Sequence, residues 1–184
     1  IVEAEAIVSE LHRELGELQN ALDACDRALA VSSGGGVVPM RARAEILRTR
    51  GTILRRMGRV PEAVEAHAEA IAIFKRTNAK RQEARARNAL AYCMIVSERW
   101  EDAIALAMSS VGIDLSIGGR FQIAKTLANV GLSYARLGDV SRANSYLRRA
   151  RDTHERYGDH DSRADTLLVS AEVMLENGDI DAAS

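Results

Sequence analysis

Gly131-Leu132-Ser133-Tyr134-Ala135-Arg136-Leu137-Gly138-Asp139, continued by Val140, Ala143, Leu147 and Ala150, reads as two helices joined at a tight turn. Gly131 leaves room for the helices to approach, Tyr134 fills the space between them, and Gly138 permits a positive φ at the turn. Ala143 and Ala150, seven residues apart, place a stripe of small side chains on the second helix where it crosses the first. Taken alone, the stretch predicts only a helical hairpin.

The same register recurs along the chain. Turn positions fall at Gly16, Gly58, Glu98, Gly138 and Gly178, with spacings of 42, 40, 40 and 40. Five residues after each turn stands an alanine: Ala21, Ala63, Ala103, Ala143 and Ala183. Ala28, Ala70, Ser110 and Ala150 follow twelve after the first four turns. Two after each turn the residue is large and apolar: Leu18, Val60, Trp100, Val140 and Ile180. Seven before it the residue is small, as at Ser9, Gly51, Ala91, Gly131 and Ala171. Four before are His12, Leu54, Met94, Tyr134 and Met174. Columns held in step over most of 184 residues identify a repeat protein.

Composition agrees. Two prolines and 4% aromatic residues suit helices stacked through Ala and Leu rather than a sheet core. Cys25 and Cys93 show neither metal nor redox spacing, which fits a reducing cytoplasm. No apolar run approaches the ~18 residues that a membrane span needs, and no targeting segment is visible. The chain lacks an initiator Met and stops midway through a repeat, so the expectation is a piece cut from a longer array.

In order, the repeats run over about 1–33, 38–78, 79–118, 119–158 and an incomplete 159–184, read as one array. Ser32-Ser33-Gly34-Gly35-Gly36 is a flexible loop and accounts for the longer first spacing. It has no preceding strand and no following Lys-Ser/Thr, so it is not read as a phosphate cradle. Pro61 falls in the first turn of a helix, where its missing N–H costs nothing. Thr77-Asn78 and Gly118-Gly119 break the chain between pairs.

The pattern of a small residue, a large residue, a turn glycine and paired alanines resembles the tetratricopeptide repeat family. Gly51, Leu54, Gly58, Ala63 and Ala70 carry the resemblance, as do Ala91, Met94, Trp100 and Ala103. Gly131, Tyr134, Gly138, Ala143 and Ala150 carry it again. The period is 40 rather than 34, and the proline that closes the usual unit is absent. Arg87 stands where Leu47, Leu127 and Leu167 are apolar, and Glu98 replaces a turn glycine. The longer unit is similar to the repeats of kinesin light chain and of sensor regions in large bacterial regulators and kinase-linked proteins. HEAT and armadillo repeats share the period but not this small-residue and turn-glycine register. The resemblance implies an all-α, right-handed α-solenoid of antiparallel hairpins, about four and a half repeats long, with first helices lining a concave groove.

Positions opposite the packing stripe give the candidate partner-binding residues. They are Arg48, Thr52, Arg55 and Arg56, then Arg85, Asn88 and Tyr92, then Lys125, Leu132 and Arg136. Glu45, Ile95, Val96, Ala128 and Ala135 share these faces, and Asp165, Leu168, Glu172, Leu175 and Glu176 follow in the last repeat. Net charge is −5 over residues 1–38, +8 over 39–99 and −4 over 100–184, so a near-neutral total hides a basic middle. One reading is a solvated set of helix faces. The other is a groove for an extended, acidic peptide, with arginines on carboxylates, Asn88 on peptide backbone and Tyr92 on an apolar side chain.

Nothing in the sequence forms a catalytic constellation, and no cofactor is expected. His12 and His67 fall on packing faces. His154, Asp159, His160 and Asp161 straddle a helix end and a loop without metal-ligand spacing. Cys25 and Cys93 read as buried thiols. Nucleic-acid binding through the basic middle is disfavoured, because Tyr92 is its lone aromatic platform. The leading expectation is therefore a cytoplasmic protein- or peptide-binding module within a larger bacterial signalling or transcription-regulatory protein. The alternatives are a ligand-gated sensor array controlling an attached DNA-binding or kinase domain, and a scaffold self-assembling through its exposed ends.

Overall fold

A computed structural model describes residues 17–33, 39–119 and 123–157. Among them are seven helices and no strand: α1 (Leu18–Ser33), α2 (Met40–Arg56), α3 (Val60–Arg76), α4 (Lys80–Val96), α5 (Trp100–Ser116), α6 (Ile123–Arg136) and α7 (Val140–Tyr157). The first half of the opening repeat, the glycine loop at 34–36 and the incomplete last repeat lie outside the described residues. The chain divides into two compact units, Ile1–Cys93 and Met94–Ser184, with the division inside α4.

One turn closes helix after helix. At the end of α2, Arg59 N–H donates to the Leu54 carbonyl at 2.9 Å and Gly58 N–H to the Arg55 carbonyl at 3.0 Å. The paired bonds satisfy carbonyls that a helix end leaves orphaned, and they require a left-handed residue between them. The same pair follows α3 (Ala79 to Phe74, Asn78 to Lys75), α4 (Arg99 to Met94, Glu98 to Ile95) and α6 (Asp139 to Tyr134, Gly138 to Ala135). It also follows α5, where Gly119 donates to Asp114 and Gly118 to Leu115. Among the described residues, those with positive φ are Gly58, Asn78, Glu98, Gly118 and Gly138, spaced twenty apart. The 40-residue period is thus two identical half-units, each a helix and its left-handed turn.

In each unit the small residues meet the next helix as the register requires. Ala21, Ala63, Ala70, Ala143 and Ala150 are wholly buried, and Ala103 and Ser110 are nearly so. In the first unit Ala44 and Leu47 of α2 pack with Ala70, Ile73 and Phe74 of α3 and with Ala86 of α4. In the second, Val111, Ile123, Leu127, Ala143 and Leu147 form the core. A Cβ added at Gly131 would lie 2.8 Å from Leu147 Cγ and 3.2 Å from the Ala143 carbonyl, so the α6–α7 contact leaves no room for alanine. Tyr134 stacks on Tyr146 with ring centres 5.4 Å apart and planes 14° from parallel, bridging α6 and α7.

Both departures from the repeat pattern have a physical account. Arg87, in an otherwise apolar column, donates through Nε and Nη2 to Glu83 at 2.9 and 2.8 Å, so its charge is paired where the site is half-buried. Glu98 holds φ at +56° without glycine's freedom. A Cβ in that region costs about 1–2 kcal/mol, partly offset by the looser unfolded chain that glycine brings. Glu98→Gly should therefore raise stability by roughly 0.5–1 kcal/mol in urea unfolding. A loss of stability would contradict the turn.

Candidate functional site

The basic face of the first unit is built on α2 and α4. Arg48 and Arg55 are seven apart on α2, two turns along one side. Arg48 Nε donates to Glu45 Oε2 at 2.9 Å, and the Thr52 hydroxyl donates to the Arg48 carbonyl at 3.1 Å. Both side chains are thereby fixed on the helix. Arg55 reaches α4, where its Cζ lies 4.5 Å from the centre of the Tyr92 ring. This cation–π contact orients the guanidinium while leaving its N–H groups for other partners. Tyr92 is exposed, as are Arg56 and Arg85, and Asn88 is half-buried with its Oδ1 inside and without a hydrogen-bond partner.

The remaining candidates, Lys125, Leu132 and Arg136, lie on α6 in the second unit. Lys125 is half-buried and Arg136 exposed, while Leu132 packs against the core of that unit. Ala128, expected on the open face, is 2% exposed and belongs to the core. The reason is position: the open face of α6 is narrower than that of α2, because Thr126, Leu127, Ala128, Asn129 and Val130 are all buried. Asp165 to Glu176 lie outside the described residues.

His67 is the feature whose environment the sequence concealed. It is wholly buried on α3, and a Cβ at Gly51 would fall 2.8 Å from its imidazole carbon and nitrogen. The ring lies against the glycine as Leu147 lies against Gly131, and the two occupy the same column, nine after the turn. Both ring nitrogens are buried without a partner. Burial pushes the imidazole down to about 4, and the nearby Arg48 and Arg55 add to the shift. Burial likewise pushes the Cys93 thiol up to about 11, against a smaller opposing pull from Arg55. A thiol held that high is no nucleophile near neutrality. Cys25 is also buried and forms no disulfide. His154 is buried on α7, His12 and His160 lie outside the described residues, and no metal-sized group of His, Cys, Asp or Glu gathers among the described ones. None of the described helices is long and apolar enough to cross a membrane.

Stacked helical hairpins with small-residue contacts and left-handed turns define a helical-repeat protein. Tetratricopeptide repeats match residues 42–116 and again 123–157, together more than half of the chain, and the protein belongs to that family. No curated protein matches it. Among solved structures, the nearly identical TPR-like repeats of a kinesin light chain from Podospora anserina are 17% identical, with a TM-score of 0.77 over 99% of this chain and 89% of that one. A Rap protein complexed with Competence and Sporulation Factor is 16% identical, with a TM-score of 0.84 over 97% of this chain and 50% of that one. The Rap conjugation gene regulator of the plasmid pLS20, in complex with the Phr* peptide, is 15% identical, with a TM-score of 0.71 over 95% of this chain and 53% of that one. The chain spans about half the length of those two Rap proteins.

His67 sets a pH dependence. Its folded value near 4 lies below the ordinary 6.5, so the unfolded chain takes up the proton first. The contribution is intact above pH 6.5 and is lost as pH falls from there toward 4, by up to about 3 kcal/mol at the limit. Thermal unfolding should show this fall, and His67→Leu should flatten it and raise stability at pH 7. An unchanged pH profile in His67→Leu would overturn the assignment.

Proposed function

We propose that this chain is a protein-interaction module that binds an extended, acidic peptide along the α2 and α4 face of its first unit. The carrying observation is the Arg55–Tyr92 contact, which couples a cation to an exposed ring across two helices. In this reading Arg48, Arg55, Arg56 and Arg85 receive carboxylates, Tyr92 takes an apolar side chain, and the Asn88 amide meets peptide backbone. Thr52 steadies Arg48. Two similar structures being peptide or factor complexes of Rap proteins supports the peptide class. A second reading, a peptide-gated sensor within a bacterial signalling or transcription-regulatory protein, is supported by one of them being a conjugation gene regulator.

A fluorescein-labelled peptide of alternating Glu and Leu tests the site by anisotropy. The wild-type chain should bind it, with affinity weakening as salt rises. The double variant Arg55→Glu/Arg85→Glu should bind at least tenfold more weakly, and Tyr92→Ala should weaken it too. Unchanged affinity in the double variant rejects this face.

A further inference from the structure

A cleft of about 440 Å³ opens at the free end of the α6–α7 hairpin, far along the sequence from the basic face. Leu115, Ile123 and Leu127 wall it, and Arg149, Asp152 and Arg156 edge it. The α2–α3 hairpin has a cleft in the same place, and there Arg43, Glu69 and Ala72 occupy the positions of Ile123, Arg149 and Asp152. In the first cleft Arg43 Nη2 donates to Glu69 Oε1 at 2.9 Å, an ion pair across the opening, with Lys75 and Arg76 also on its lining. In the second, isoleucine has replaced the arginine and arginine has replaced the acid. The charge pair across the opening is gone, and Ile123 joins Leu115 and Leu127 in an apolar wall beside Arg149, Asp152 and Arg156.

Arg149 on this edge is held in place. Arg149 lies with its Cζ 5.0 Å from the Tyr146 ring centre, and Tyr146 is itself held against Tyr134. Held over the ring, the guanidinium keeps its N–H groups for an anion. Asp152 and Arg156 stand three and seven residues further on, on the same side of α7. Leu115 is 64% exposed at the cleft, an aliphatic surface that a ligand would take from water. An acid set between two bases disfavours a phosphate dianion. It complements a carboxylate joined to a nitrogen that donates a hydrogen bond.

We propose that this cleft binds an aliphatic α-amino carboxylate: carboxylate on Arg149 and Arg156, N–H on Asp152, side chain against Leu115, Ile123 and Leu127. Free leucine and the last residue of a peptide ending in leucine present the same chemistry, and the binding test separates them.

Calorimetric titration of the 184-residue chain with L-leucine, with Gly-Gly-Leu, and with the C-terminal amide of Gly-Gly-Leu tests this. Saturable one-to-one binding of leucine assigns the free amino acid, and binding of Gly-Gly-Leu alone assigns the peptide terminus. The amide should bind at least tenfold more weakly than its parent. Arg149→Gln/Arg156→Gln, with helix content checked by circular dichroism, should lose tenfold or more, and so should Leu115→Glu on a separate helix. The proposal is overturned if no probe binds, if the amide binds as well as the acid, or if the variants bind like wild type. It is also overturned if Arg55→Glu/Arg85→Glu abolishes the binding, which would place the ligand on the face of the first unit.

Discussion

At the end of each helix from α2 to α6, a peptide N–H reaches back five residues to a carbonyl, and the bond forms only around a residue with positive φ. That bond stops the helix and satisfies its last carbonyls. Repeated at twenty-residue intervals, it delivers helices of nearly equal length, so the same positions meet at every crossing. The alanine columns are useful only because this spacing keeps them opposite one another. A helix one residue longer would turn its small stripe by about 100° and bring large side chains to the crossing.

Within that frame, close approach is what each crossing is built around. Gly131 under Leu147 and Gly51 under His67 are the same contact with different occupants. Leucine fills the space with carbon alone. Histidine fills it with two nitrogens that find no partner, in a site where the charges of Arg48 and Arg55 further disfavour a proton. A buried polar group without a partner costs stability. The second repeat therefore carries a local weakness within the field of Arg48 and Arg55. Arg55 links the two, since it also lies over Tyr92 on α4.

Much of the fold was legible in the sequence because the register is carried by glycine and alanine, and small residues repeated in step are what close helix crossings demand. The helices begin and end within a residue or two of where turn signals place them, and Glu98 takes the left-handed turn despite its side chain. The half-period was harder to see. Thr77-Asn78 and Gly118-Gly119 mark breaks, but a turn made by Asn, Glu and Gly in alternation has no single residue signature. On α2 and α4 the exposure of Arg56, Arg85 and Tyr92 follows the helical spacing. Spacing misplaced Ala128, which is buried, since alanine is at home on either side of a helix. The cleft on α7 left no mark in the sequence alone. It emerges only when the fold of the second unit brings Leu115, Ile123, Arg149 and Arg156 around one opening.

Backbone φ at Asn78 and Glu98, measured by nuclear magnetic resonance couplings on labelled protein, tests the twenty-residue metre most directly. Neither residue has glycine's licence, so neither adopts the left-handed region without cause. Positive φ is expected at both, near 51° and 56°. A negative φ at either residue, with helix running on through it, would contradict a chain metered by left-handed turns.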